Sequence, residues 1–196
     1  MIKPPTGHFA DVSHYEPDID FHAYAAGGCP LIITKATEGS TYTDPTYAGF
    51  AARARSVPGL IFGSYVFIDA GDPGPQISHY LSAAHLKPGD LQPCVDAEAA
   101  GLTKNETFDA LRQLEASGYR PLLYCSLSFY TDVLGSPTQW WLWLAAYRDT
   151  LPKLPAGTKL FAWQHDSGSI CPGILHPCDM SYLYVPIKDL ATKFCI

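Results

Sequence analysis

Five times along the first two thirds of this chain a strand-like run is followed by a helical one, and three further strand-like runs then follow with only loops between them. Apolar runs at residues 8–12, 31–36, 60–67, 92–98 and 121–126 read as strands. Asp18 is placed to cap a short helix that runs to Gly27-Gly28, and a helical spacing from Tyr47 to Ser56 stops before Pro58-Gly59. Pro75 sits in the first turn of a helix reaching Leu86, and Thr103-Lys-Asn-Glu106 is a capping box opening a helix that Gly118 ends. After a short helical turn around residues 129–134, residues 141–146, 159–164 and 178–183 are the last strands. Strands that alternate with helices pair in parallel, and about eight of them can close on themselves. The expected fold class is therefore α/β, a TIM-like barrel of about five β/α units followed by three further strands.

Such a barrel needs one sizeable core, and 196 residues of which 47% are apolar and 16% charged supply it as a single domain, residues 1–196. The net charge of −6 argues against nucleic acid as a partner. No segment approaches transmembrane length, and Met1-Ile-Lys-Pro-Pro-Thr-Gly7 lacks the apolar run of a signal peptide, so no membrane insertion is expected. A chain made without a secretory signal, as in a phage lytic enzyme, or one secreted and present in mature form, both fit. A monomer is expected.

The stretch Gln92-Pro-Cys-Val-Asp-Ala-Glu98 concentrates the chemistry. Alternation along a strand points Asp96 and Glu98 to one face, with Cα atoms roughly 6–7 Å apart. Two carboxyls at the end of an apolar strand repel each other and lose hydration, which separates their pKa values so that one keeps its proton while the other ionises. Hydrolysis of a glycosidic bond uses such a pair. In parallel barrels the chemistry sits at the carboxyl ends of the strands. Asp11, Lys35 to Glu38, Tyr65, Tyr124, Tyr147, Trp163 and Gln164 also fall at late strand ends, whereas Asp179 sits early in its run. Tyr65, Tyr147 and Trp163 are candidate sugar platforms, and 13% aromatic residues suit a carbohydrate cleft as well as a large core.

Metal and serine chemistry find no support. No His-Glu-x-x-His, no Cys-x-x-Cys and no Gly-x-Ser-x-Gly elbow occurs, and no cofactor is expected. Of the six cysteines, Cys94 and Cys125 lie in apolar runs and read as buried free thiols, whereas Cys171 and Cys178 flank a Pro- and Gly-containing loop and are the best candidates for a bridge.

Seven segments appear in a fixed order: Asp11-Val-Ser-His-Tyr15, Lys35-Ala-Thr-Glu-Gly39, Gly63-Ser-Tyr-Val-Phe67, Asp96-Ala-Glu98, Leu122-Leu-Tyr-Cys-Ser126, Leu142-Trp-Leu-Ala-Ala-Tyr147 and Trp163-Gln-His165. Together they resemble the family 25 glycoside hydrolases, the Chalaropsis-type lysozymes, from about His8 to Tyr184. The resemblance implies an irregular, flattened barrel. It also implies N-acetylmuramidase activity, cleavage of the β-1,4 bond after N-acetylmuramic acid in bacterial cell-wall peptidoglycan with retention, assisted by the substrate's own acetamide. By the same resemblance Glu98 is the general acid, Asp96 orients the 2-acetamido group, and Asp11 and Asp179 complete the acidic set. Tyr65, Tyr124, Tyr147, Trp163, Lys35 and Glu38 are the expected substrate-binding residues. Two positions depart from the pattern: Val66 stands where His usually precedes Phe, and Ser181 where Asn usually follows Asp179 by two. These departures keep open a carbohydrate-binding protein on the same scaffold that no longer hydrolyses. A chitinase-like hydrolase is a third reading, though the spaced aspartates that precede Asp-x-Glu in chitinases are absent.

Overall fold

The strand runs lie side by side in one sheet whose ends meet. In the computed structural model, which describes residues 4–135 and 137–196, these are β1 (Gly7–Val12), β2 (Leu31–Glu38), β3 (Tyr42–Thr43), β4 (Ile61–Phe67), β5 (Cys94–Asp96), β6 (Leu122–Ser126), β7 (Trp141–Ala145), β8 (Leu160–Ser169) and β9 (Cys178–Leu183). Met1 to Lys3, part of the N-terminal stretch read above, lie outside the described residues. The order is β1-β9-β8-β7-β6-β5-β4-β2-β3, and β1 also pairs with β2, so eight strands close a barrel. Seven of them run parallel, and β9 is antiparallel to both its neighbours. The ninth strand, β3, is a two-residue addition outside the closed ring, antiparallel to Thr37 and Glu38.

Helices α1 (Phe21–Ala26), α2 (Tyr47–Arg55), α3 (Pro73–Ala84) and α4 (Lys104–Ala116) follow β1, β3, β4 and β5, and β6 leads into a π-helical turn, Phe129–Val133. The capping box forms as expected: the Thr103 side chain accepts from Glu106 N while Glu106 Oε2 accepts from Thr103 N. Two starts differ from expectation. Asp20, not Asp18, caps α1, its Oδ1 accepting from His22 N and Ala23 N at 3.0 Å each. Two residues of extra reach before the first turn are taken up by an isolated bridge between Ile19 and Ile174. Helix α3 begins at Pro73, two residues before Pro75's turn was expected, because the Asp72 side chain accepts from Gly74 N and Pro73 has no N–H to leave unsatisfied at the first position.

Strand alternation divides the core into two layers. Inward side chains such as Phe9, Ile33, Cys94, Leu122, Trp143 and Phe161 fill the barrel below the rim. Outward ones such as Val12, Ile32, Phe62, Val95, Leu123 and Leu144 pack against the helices. Inside, the Phe9 and Trp143 rings lie 5.5 Å apart and Tyr124 and Trp143 4.7 Å apart, so the barrel is plugged by aromatic rings rather than open. All six cysteines are buried free thiols. The expected Cys171–Cys178 bridge is therefore not formed: Cys178 Sγ donates instead to Ser169 O at 3.6 Å, and Cys171 interacts with both Cys29 and Cys178.

Candidate active site

The reversed direction of β9 resolves the one residue that sat at the wrong end of its run. An antiparallel strand begins at the rim where its parallel neighbours finish, and Asp179 is registered directly opposite Asp11. Asp96 closes β5 in register with Phe67 on one side and Tyr124 on the other. Asp11, Asp96, Glu98 and Asp179 thus meet at one rim, in a cleft of about 250 Å³ that Lys35 and Tyr65 also line. Beneath it lies a recess of about 50 Å³ walled by the same four carboxyl groups with Tyr65, Tyr124 and Trp143.

The electrostatics follow from crowding acids around one cation. Burial, then the neighbouring Glu98 and Asp11, push the Asp96 carboxyl well above the usual aspartate range. Asp96 is only 6% exposed, and its Oδ1 has no hydrogen-bond partner among the described residues. Burial also raises Asp11, with Asp179 next in effect. Glu98 reaches solvent at the cleft mouth yet is raised above its ordinary 4.5 by desolvation, against the pull of Lys35. Asp179 is pushed up to about 6, by burial first and by Glu16 and Glu98 after it.

Lys35 and Glu38 lie three apart, which simple alternation would put on opposite faces. A bulge at Ala36 shifts the register, so Lys35 pairs with Tyr65 and Glu38 with Phe67, and the two side chains form an ion pair on the cleft side. The Lys35 ammonium lies 5.0 Å from the Phe67 ring centroid and acts on both Glu98 and Asp96. Tyr124 and Tyr147 both donate to Gln164 Oε1, at 2.8 and 3.0 Å. Tyr147 is 58% exposed.

Of the expected substrate-binding residues, Lys35, Tyr65 and Tyr124 line the cleft or its recess and Glu38, Tyr147 and Trp163 do not, and the side chain turned fully away is that of Trp163. It points outward from β8, is 3% exposed, and its Nε1 donates to Ala146 O at 2.8 Å, so no ring face is free for a sugar. Placement at a strand end was legible, but the face was not, because a register shift at Phe161 pairs Trp163 with the outward Leu144. Of the two departures from the family pattern, Val66 packs in the outer layer, whereas Ser181 lies inside the barrel, its Oγ accepting at 2.8 Å from Nε1 of Trp143, a wall of the recess.

Several cleft residues were not site candidates in the sequence, four of them with side chains suited to contact a ligand. Tyr15, 75% exposed, and Glu16 line the mouth, carried on the turn after β1, where only their position beyond Asp11 hinted at a role. Phe67 and Ser167 line the cleft from the ends of β4 and β8. Gln164, noted only for its strand-end position, is fully buried between Asp11, Asp179 and the two tyrosines.

The raised pKa of Asp179 has a consequence for stability. Its ordinary value is 3.8 and its folded value about 6, so between those pH values the folded state holds a proton that the unfolded chain has released. Its contribution to stability therefore falls as pH rises through that window and stays low above it. Thermal melts of Asp179→Asn and wild type are expected to converge near pH 4, with the variant the more stable at pH 7. Parallel stability curves across that range would contradict the assignment.

Comparison with known proteins gives consistent likenesses. The model for glycosyl hydrolases family 25 matches residues 10–174. The autolytic lysozyme of Clostridium acetobutylicum is 30% identical over 166 residues, covering 82% of this chain and 51% of that protein. The N,O-diacetylmuramidase of a Chalaropsis species is 34% identical over 64 residues, 32% of this chain and 30% of that protein. The chain thus spans about half the length, or less, of these curated relatives. Among solved structures, the bacterial lysozyme of Streptomyces coelicolor superposes with a TM-score of 0.86 at 21% identity, over 96% of this chain and 97% of that one. A family 25 lysozyme from Aspergillus fumigatus gives 0.80 at 22% identity, over 94% and 97%. At these identities the solved structures speak for the barrel.

Proposed function

Because the chain belongs to the glycosyl hydrolases family 25, we propose that it is a peptidoglycan hydrolase of the lysozyme type, cleaving the β-1,4 bond between N-acetylmuramic acid and N-acetylglucosamine in the bacterial cell wall. The observation that carries this reading is the meeting of Asp96 and Glu98 with Asp11 and Asp179 in one cleft at the strand ends. Glu98 is the most exposed carboxyl of this set, and desolvation raises it above its ordinary 4.5. It protonates the leaving glycosidic oxygen as the bond to the anomeric carbon breaks. The unpartnered Oδ1 of Asp96 accepts the substrate's acetamide N–H, which turns the acetamide oxygen toward that carbon. The oxygen closes an oxazoline ring that stays protonated at nitrogen, because the N–H is retained, and its positive charge lies against Asp96. A water then attacks the anomeric carbon, Glu98 recovers a proton from it, and the ring reopens to the acetamide. Two inversions at one carbon give net retention.

Tyr15, exposed at the cleft mouth, and Tyr147, exposed above its bond to Gln164, are the aromatic residues that would stack sugars beside that bond. The binding-protein reading has little support in the site, since among the described residues neither Val66 nor Ser181 hydrogen-bonds a carboxyl group of the acidic set through its side chain. A proton NMR time course on purified peptidoglycan tests the mechanism: the β-anomer is expected to form first. Initial appearance of the α-anomer would rule out the acetamide route.

A further inference from the structure

We propose that Gln164 is a positioning residue of this cleft, a fixed amide that holds the Asp11–Asp179 pair in place and ties it through Tyr124 and Tyr147 to the wall beside Asp96. The inference rests on the hydrolytic reading of the cleft but is argued from hydrogen bonds alone.

Gln164 is fully buried and points into the barrel from β8, opposite Ser181 and Ala145. Its Nε2 donates to both oxygens of Asp11, at 3.0 Å each, and to Asp179 Oδ2 at 3.2 Å. Its Oε1 accepts from the Tyr124 and Tyr147 hydroxyls. Amide nitrogen and oxygen are told apart by such partners. Burial and the surrounding carboxylates push both phenols above their ordinary 10.0, so both stay protonated and donate. The opposite orientation would set the amide oxygen against three carboxyl oxygens. The amide therefore has one satisfactory orientation.

What makes this more than packing is the absence of a cation. Asp11 and Asp179 are register partners on adjacent antiparallel strands, where like charges oppose each other. Among the described residues neither takes part in an ion pair; Lys35 is committed to Glu38 and acts on Glu98 and Asp96. The other charged groups facing the pair add to the repulsion: Glu16 from the turn after β1, Asp96 at the end of β5, Glu98 just beyond it, and Asp166 from β8. The neutral phenols of Tyr65, Tyr124 and Tyr147 complete the surroundings. Gln164 is thus the donor that offsets the repulsion, and two N–H bonds spread over three oxygens suit a pair sharing a single proton.

Gln164→Glu and Gln164→Met separate this role from simple packing. A protonated carboxyl keeps one acceptor and one donor, whereas the ionised form adds a further like charge. Activity on peptidoglycan with Gln164→Glu is expected within about threefold of wild type near pH 4.5 and at least about a hundredfold down by pH 7.5, while Gln164→Met stays low throughout. An unshifted pH profile in Gln164→Glu, or equal losses in both variants at every pH, would overturn the proposal.

Should either variant fail to fold, wild type alone decides. With ¹³C-labelled aspartate and ¹⁵N-labelled glutamine, Asp11 and Asp179 are expected to titrate in two coupled steps, with the Gln164 side-chain amide shifting at each. An amide silent to both titrations would overturn the proposal. That titration needs no substrate, so a wild-type protein without activity on peptidoglycan would refute the functional reading and still leave the Gln164 result readable.

Discussion

Glu98→Gln is expected to lower turnover of peptidoglycan by about a thousandfold or more, with binding little changed. General acid catalysis alone accounts for about 10²–10⁴-fold. Glu98 has a second duty in the proposed sequence, taking a proton from water as the oxazoline opens, so both halves of the reaction suffer. Gln is close to isosteric with Glu, and Glu98 lies at the solvent-exposed mouth and not in the core, so the fold is retained. The loss is read as kcat at saturating substrate, with a pull-down on insoluble peptidoglycan reporting binding. In wild type the alkaline limb of the pH profile is expected above the ordinary glutamate value of 4.5, because desolvation holds the proton on Glu98. A variant retaining more than about a tenth of wild-type turnover would remove Glu98 from the acid's role.

The second large effect lies in the loop that delivers β9. Gly173 has φ +78°, and a Cβ there would stand 2.3 Å from Asp20 O and 2.6 Å from Tyr24 N, both backbone atoms at the start of α1. Neither can swing away as a side chain would. Gly173 O also accepts from Asp20 N at 2.7 Å, so the loop and the capped end of α1 are joined where they would have to part. Overpacking costs about 1–3 kcal/mol and a left-handed conformation without glycine about 1–2 kcal/mol more. Gly173→Ala is expected to destabilise the protein by about 3 kcal/mol, a fall in Tm of about 6–12 °C for a domain of this size. Since Asp179 follows six residues later, activity at a permissive temperature is expected to drop as well. A melting temperature within about 2 °C of wild type would contradict the packing described here.

Much of the fold was legible because alternation of strands and helices leaves few topologies open. The Thr103–Glu106 capping box, the strand-end placement of Asp96 and the convergence of distant polar residues all followed from local pattern plus the parallel-barrel rule. The direction of β9 was not legible. A loop between two strands permits either sense, and only the pairing of Asp179 with Asp11 shows why a residue early in its run belongs to the rim. The bulge at Ala36 was also hidden, since nothing in Lys35-Ala-Thr-Glu38 signals a skipped residue. Trp163 and Gln164 show the same limit at finer scale. Neighbours in sequence take opposite faces of β8, so the conspicuous aromatic residue packs outward while the plain amide occupies the centre of the acidic set.

Hydrolysis at the muramic acid side, as proposed for this cleft, leaves its mark in the new chain ends. Purified peptidoglycan digested with the protein, reduced with borohydride and analysed by mass spectrometry is expected to carry reduced muramic acid ends. Reduced glucosamine ends, or binding without any new ends, would contradict it.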